Sequence, residues 1–383
     1  MPFPLTRPAL VRLCAGASQA ASLAASLACT AAAPTTPIVA PPSPPAPTAV
    51  DTAWTARLQR VLDSAVRTVP LRGLSAAVVL ADGRSWRGVA GLSAPGIAMD
   101  TAMRLGIGSI SKSITATLLV RLAERGRLSL DDPLSRWLPP IPHVDPAITV
   151  RQLLNHTSGV YDVVDFPGYR DSILANPAAQ WTPQRLLKLL RPPLFARGTG
   201  WRYTNTNYQL AGLVAEAAGG RPLHQLVRDE LLVPLGLTAP FLDQYEAPTG
   251  PLPGGWVGGT MNVMDARAST YSAAWAAGAY FSTPEALARW WQGLMTGRLV
   301  GAASLAEMMT TVGSEGYGLG IVRRQLVGRQ IWSHTGEIRG FTSVAVHDPA
   351  GRFSVVLIAN ENPAPVTVLS GSLLTIAASV AAP

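Results

Sequence analysis

From Trp54 to Val66 apolar residues return every three to four positions, the period of an amphipathic helix. Leu74 to Leu80 is apolar and rich in branched residues, which predicts a buried strand, and Asp82-Gly83 supplies the backbone freedom of a hairpin turn into a second strand, Ser85 to Gly91. Ser109 to Glu124 reads as a helix, because Ile114, Leu118 and Leu122 share one face and Gly126 stands where the chain must leave it. Asp131-Asp132-Pro133 opens a further short element. Between Val150 and Met295 helical patterns such as Gln184 to Leu190 and Leu210 to Ala218 are broken by Gly/Pro loops. Strands are predicted again at Gly316 to Val322, Arg329 to His334, Thr342 to His347 and Phe353 to Ala359, the last two joined by Pro349-Ala350-Gly351, before a closing apolar helix from Thr367 to Val380. Strands at both ends with helices between them predict an α+β fold, an α/β/α sandwich. One antiparallel sheet is built from both chain ends and flanked by helices, with a mostly helical inserted domain.

The N-terminal fifty residues follow neither period. Arg7 and Arg12 precede a weakly apolar stretch, Leu13 to Ala33, ending in Ala31-Ala32-Ala33, so residues 1–33 read as an export signal with a small-residue cleavage site. Residues 34–50 are a proline-rich linker that no packed element can use. The folded domain is predicted over 51–383, its sheet part at about 51–107 and 313–383 and its helical part at about 109–312. Cys29 follows Ser26-Leu27-Ala28, with the large apolar residue one place too near the cysteine for a lipid-attachment box, which argues against a lipoprotein. Both cysteines, Cys14 and Cys29, fall in the leader, so a processed chain carries no thiol nucleophile. No later window is long and apolar enough for a transmembrane segment, and the expected location is periplasmic or extracellular.

Composition narrows the function classes. A hydrophobic content of 48% with 14% charged residues provides a large core. The formal charge of +8 is scattered, without a basic run, a basic stripe interleaved with aromatics, or zinc-finger spacing, so nucleic acid is not an expected partner. The five histidines are too dispersed for a metal site, and there is no Gly-x-Ser-x-Gly elbow, His-Glu-x-x-His or Gly-rich nucleotide loop, so neither metal nor cofactor is expected.

Three constellations carry chemistry. Ser109-Ile110-Ser111-Lys112 sets a hydroxyl and an amine three residues apart on one helix face, where a lysine of lowered pKa can take the serine proton. Of the 31 basic residues all are arginine except Lys112 and Lys188. Arginine does not give up its proton in proteins and lysine does, so the exception at Lys112 falls where a titratable amine matters. Lys188 reads as part of a solvated helix face. Tyr203-Thr204-Asn205 follows the turn Gly198-Thr199-Gly200. It offers a phenol that serves as acid or base if cations depress its pKa, and a two-ended amide. His334-Thr335-Gly336, followed by Glu337-Ile338-Arg339-Gly340-Phe341, ends a predicted strand.

In this order the three sets resemble the serine β-lactamase and DD-peptidase superfamily, nearest to class C β-lactamases and soluble D-alanyl-D-alanine carboxypeptidases. The similarity spans roughly Trp54 to Asn360. It includes Leu105-Gly106-Ile107-Gly108, Leu128-Ser129-Leu130-Asp131-Asp132-Pro133, Leu153-Leu154-Asn155-His156-Thr157-Ser158-Gly159 and Gly316-Tyr317-Gly318-Leu319-Gly320. The resemblance implies an acyl-enzyme serine hydrolase in which Ser109 attacks, Lys112 and Tyr203 relay its proton, and Asn205 orients the acyl amide. It further implies that His334 occupies the place of the lysine in Lys-Thr-Gly, and that the backbone N–H groups of Ser109 and Glu337 form the oxyanion hole. Trp275 resembles an aromatic wall of the cleft and reads equally as a core tryptophan, and His156 supports the cleft structurally. The implied substrate is a small peptide, amide or ester, with a D-alanyl-D-alanine carboxypeptidase-like peptidase foremost and peptidoglycan as a partner.

Two positions depart from the carboxylate-gripping pattern of those carboxypeptidases. Glu337 stands where a hydroxyl residue follows the glycine, and would repel a carboxylate. Val322 takes the register of their arginine, with Arg323 and Arg324 close by and Arg339 available to compensate. Glu337 suits a cationic substrate end, as in D-aminopeptidases of the superfamily. A broad esterase, a D-aminopeptidase or a weak β-lactamase are the enzymatic alternatives, and a silent peptidoglycan-binding module the non-enzymatic one.

Overall fold

The structure, a computed structural model, describes residues 52–261 and 264–381; the predicted leader, linker and both cysteines lie outside the described residues. The N-terminal amphipathic pattern forms helix α1 (Thr52–Thr68), and the apolar run after it forms β1 (Gly73–Val79), which turns into β2 (Ser85–Ala94) and the short edge strand β3 (Ile97–Ala98). The late strands are β4 (Val322–Leu326), β5 (Arg329–Ile338), β6 (Phe341–Asp348) and β7 (Phe353–Ala359). They join the early ones in a seven-stranded antiparallel sheet of order β3-β2-β1-β7-β6-β5-β4. The chain ends meet at β1 and β7, with Leu74 opposite Ala359 and Val79 opposite Ser354.

Among the helices between and after the strands are α2 (Ser111–Glu124), α3 (Asn205–Gly219), α4 (Arg267–Gly278), α5 (Pro284–Met295) and the closing α6 (Val366–Ala378). Both faces of the sheet are covered, so alternate residues of β1 enter different layers. Leu74, Ala76 and Val78 pack with Trp54, Leu58 and Leu62 of α1 and Leu373 and Leu374 of α6. Ala77 and Val79 join the larger core containing Ile114, Leu118, Trp290 and Trp291. Each fully buried leucine in these layers contributes roughly 1.5–3 kcal/mol by leaving water. This is the predicted sandwich.

Two local expectations are corrected. Gly316 to Val322 is not a strand. Gly316 and Gly320 take φ of +65° and +73°, folding the stretch into turns in which Tyr317 makes only single bridges, to Val312 and Val322. Helix α2 begins at Ser111, because Gly108–Ile110 form a tighter 3-10 turn ahead of it. Its exit is as expected: Gly126, at φ +66°, and Arg127 return their N–H groups to the carbonyls of Ala123 and Leu122.

Candidate active site

Ser109 sits in the 3-10 turn that leads into α2, beside the C-terminal half of β5. Strand β4 covers β5 only from Arg329 to Ser333, so beyond Ser333 that edge of β5 is left without a strand partner. Two glycines let the turn and the strand touch. A Cβ on Gly336 would lie 2.0 Å from the carbonyl oxygen of Ile107, and one on Gly108, at φ +51°, would lie 2.7 Å from the nitrogen of Glu337.

Lys112 is 0% exposed. Its Nζ lies 2.9 Å from Ser109 Oγ, 2.8 Å from Asn205 Oδ1 and 2.9 Å from the carbonyl of Ala277. Burial lowers its pKa to about 7, against the opposing charge of Asp162. Asp162 is the second layer of this site: its Oδ2 accepts from the backbone N–H and the Nδ2 of Asn205 at 2.9 and 3.0 Å, fixing the amide so that its oxygen meets Lys112. Burial raises the Asp162 pKa, against the N–H groups of Asn205 and Val164, which favour its anion.

Ala277 is available to Lys112 because α4 is interrupted at Trp275, whose φ of +35° and ψ of −124° are not helical. Thr115 Oγ1 donates to Ala276 O at 2.8 Å and Gln209 Nε2 to Ala273 O at 2.8 Å, so α2 and α3 both tie down the carbonyls freed there. Trp275 itself is 2% exposed and packed in the core. Of the two readings of Trp275 the core one holds and the cleft wall is corrected: Trp275 shapes the backbone from behind.

Tyr203 packs against His156 with ring centroids 4.4 Å apart and planes tilted by 36°, and has Lys112 Nζ 4.8 Å from its ring centroid. Burial raises the phenol pKa, the reverse of the depression by cations anticipated above; the hydrogen bond to Ser109 opposes the rise. His156, at φ +65°, accepts through Nδ1 from the N–H of Thr204 and the amide of Asn207, each at 3.2 Å, so it braces the Tyr203–Asn205 segment from below.

His334 is 4% exposed. Its Nδ1 lies 2.6 Å from the Thr335 carbonyl, which can only accept, so Nδ1 carries the proton and Nε2 accepts from the Tyr317 hydroxyl at 3.0 Å. Burial, helped by the Lys112 charge, holds its pKa at about 3. The imidazole is therefore neutral.

A cavity of ≈ 280 Å³ opens on Ser109 and is lined by Trp201, Tyr203, Tyr317, His334 and Thr335. Val322 lines it as its register predicts, opposite Ser333, but Arg324 reaches it too. Glu337 is exposed and lines both this cavity and a neighbouring one of ≈ 390 Å³. Arg339 lines only the neighbour, so it does not compensate within the cavity on Ser109 for the arginine missing at Val322. Asp162, Ala277 and Tyr317 are not singled out for the site by the sequence, whereas Arg324 is the nearby arginine noted there.

Among the described residues no helix is long and apolar enough to cross a membrane. The family model for Beta-lactamase matches residues 58–376. The solved D-stereospecific amidohydrolase from Streptomyces sp. is 32% identical, with a TM-score of 0.72 over 83% of this chain and 98% of that one. The chain is 28% identical to the putative penicillin-binding protein PbpX of Bacillus subtilis over 66% of its own length and 61% of the relative's. It is 36% identical to the esterase EstB of Burkholderia gladioli over 48% of its own length and 50% of the relative's. These curated relatives are thus matched over less than two thirds of their length. The matched span contains the whole Ser109, Lys112 and Tyr203 cluster, and the chain belongs to the Beta-lactamase family as one of its serine hydrolases.

Proposed function

We propose that this serine hydrolase cleaves amides and small peptides whose acyl part is a D-amino acid with a free α-ammonium group. The observation that carries this reading is Glu337. Its carboxylate makes no ion pair among the described residues, and Glu337 lines both the cavity on Ser109 and the neighbouring one, while the adjacent His334 is neutral. Arg324, Arg170 and Arg339 line these cavities but none of them pairs with Glu337, so its carboxylate is left to an ammonium group in the substrate. The similarity to a D-stereospecific amidohydrolase supports the choice of D-residues.

The chemistry follows from proton counting. Lys112 has two oxygen acceptors, Asn205 Oδ1 and Ala277 O, and a neutral amine has two N–H groups to give them, which turns its lone pair to the Ser109 hydroxyl. Lys112 takes that proton as Oγ attacks the carbonyl carbon, and the oxyanion is held by the N–H groups of Ser109 and Glu337. Tyr203, kept protonated by its raised pKa, passes a proton to the leaving amine and regains one from Lys112. Water then hydrolyses the acyl-enzyme with the same groups in reverse. Export through the N-terminal leader, and wall-derived D-amino-acid peptides as natural substrates, complete the reading.

A second reading, release of a terminal D-residue bearing a free carboxylate, is favoured by Arg324, which lines the cavity on Ser109 and makes no ion pair among the described residues. Comparing kcat/KM on D-alanine amide, its N-acetyl derivative and an N-acylated D-alanyl-D-alanine separates the two. The first reading expects N-acetylation to cost about tenfold or more, a cost that Glu337→Gln removes, since a charge-assisted hydrogen bond is at stake. Faster turnover of the acylated dipeptide than of the free amide contradicts it.

A further inference from the structure

We propose that the ≈ 390 Å³ cavity, which shares Glu337 with the cavity on Ser109, selects an acidic D-amino-acyl group, with its α-ammonium on Glu337 and its side-chain carboxylate on the guanidinium groups of Arg170 and Arg339. This rests on the D-amino-acyl reading above and assigns the side chain that reading leaves open. Arg170 comes from the helix Tyr169–Ala175 and Arg339 from the two-residue turn joining β5 to β6, and neither makes an ion pair among the described residues. The cavity therefore holds two guanidinium groups against the single carboxylate of Glu337. Once a substrate ammonium occupies Glu337, both cations lack an anion.

Two buried polar atoms point the same way. Arg339 Nε and Thr270 Oγ1 have no hydrogen-bond partner, and both residues line this cavity. Both are donors, N–H and O–H, and an unpaired buried donor is destabilising until an acceptor arrives. Val164, Ile173 and Leu174 supply an apolar wall for an aliphatic stem. A carboxylate also matches the fork of donors on a guanidinium group, which a neutral or apolar side chain does not.

The test is kcat/KM of the full chain on the α-p-nitroanilides of D-glutamate and D-leucine, each normalised to hydrolysis of p-nitrophenyl acetate, whose methyl group leaves the cavity empty. The D-glutamyl compound is expected to be preferred by about tenfold or more, and Arg339→Met to cut that ratio by about tenfold, as for loss of a charge-assisted pair. Arg170 is exposed, so Arg170→Met provides the same comparison if the Arg339 variant does not fold. Preference for D-leucine, or a ratio unmoved in both variants, overturns the assignment of the cavity alone. Turnover of the acetate with neither anilide cleaved overturns the D-amino-acyl reading and this inference with it.

Discussion

Lys112→Arg is expected to lower kcat on the order of 10³-fold or more on ester and amide substrates alike, the scale of a lost general base. Arginine keeps a positive charge but does not release its proton, so the substitution separates charge from basicity. The three oxygens around Nζ, from Ser109, Asn205 and Ala277, leave no role for a permanent cation with more donors than acceptors. Lys112→Met is expected to lose as much, because it too lacks a lone pair on nitrogen. It leaves Asn205 Oδ1 and Ala277 O short of a donor, at about 1–3 kcal/mol each, so thermal unfolding is to be recorded beside kcat. Activity of Lys112→Arg within tenfold of the parent would show that the amine serves only as a charge.

Ser109→Ala is expected to abolish turnover, with kcat falling on the order of 10⁶-fold, as for nucleophile loss in a related chemistry on another fold. Intact-protein mass spectrometry during ester or amide turnover is expected to show an acyl adduct on the parent and none on this variant. Ser111 is the internal control: its hydroxyl is buried and accepts from the N–H of Tyr280, facing away from the reacting centre. An adduct that survives Ser109→Ala would place the nucleophile elsewhere.

Much of the fold is legible in the chain because both ends are written in strand and helix periods that the two-faced sheet then satisfies. Leu74 to Leu80 reads as fully buried, and it is buried on both sides, against α1 and α6 on one and the larger core on the other. Gly316 to Val322 misleads because its alternating glycines imitate a strand while Gly316 and Gly320 adopt left-handed turns. In the site, Ser109, Lys112, Tyr203 and Asn205 lie together, and each brings a side chain whose type leaves a mark on the sequence. Ala277 leaves none: its contribution is a carbonyl, freed by the non-helical backbone of Trp275. That same tryptophan is conspicuous as a residue type, which suits a cleft wall and a core alike, and its bulk fills the core. Asp162 escapes notice for a related reason, because it works by accepting from the backbone and amide of Asn205, 43 positions along the chain.

The central claim, that a neutral Lys112 activates Ser109, meets its most direct test in the pH dependence of single-turnover acylation. The folded pKa of Lys112 lies below its ordinary value, at about 7, so the reactive amine prevails above that pH and is lost to protonation below it. The rate constant is predicted to rise about tenfold per pH unit between roughly pH 5 and 7 and then to level off. His334, held neutral with a pKa of about 3, adds no limb in that interval. An acylation rate that stays flat from pH 5 to 7 would contradict the account.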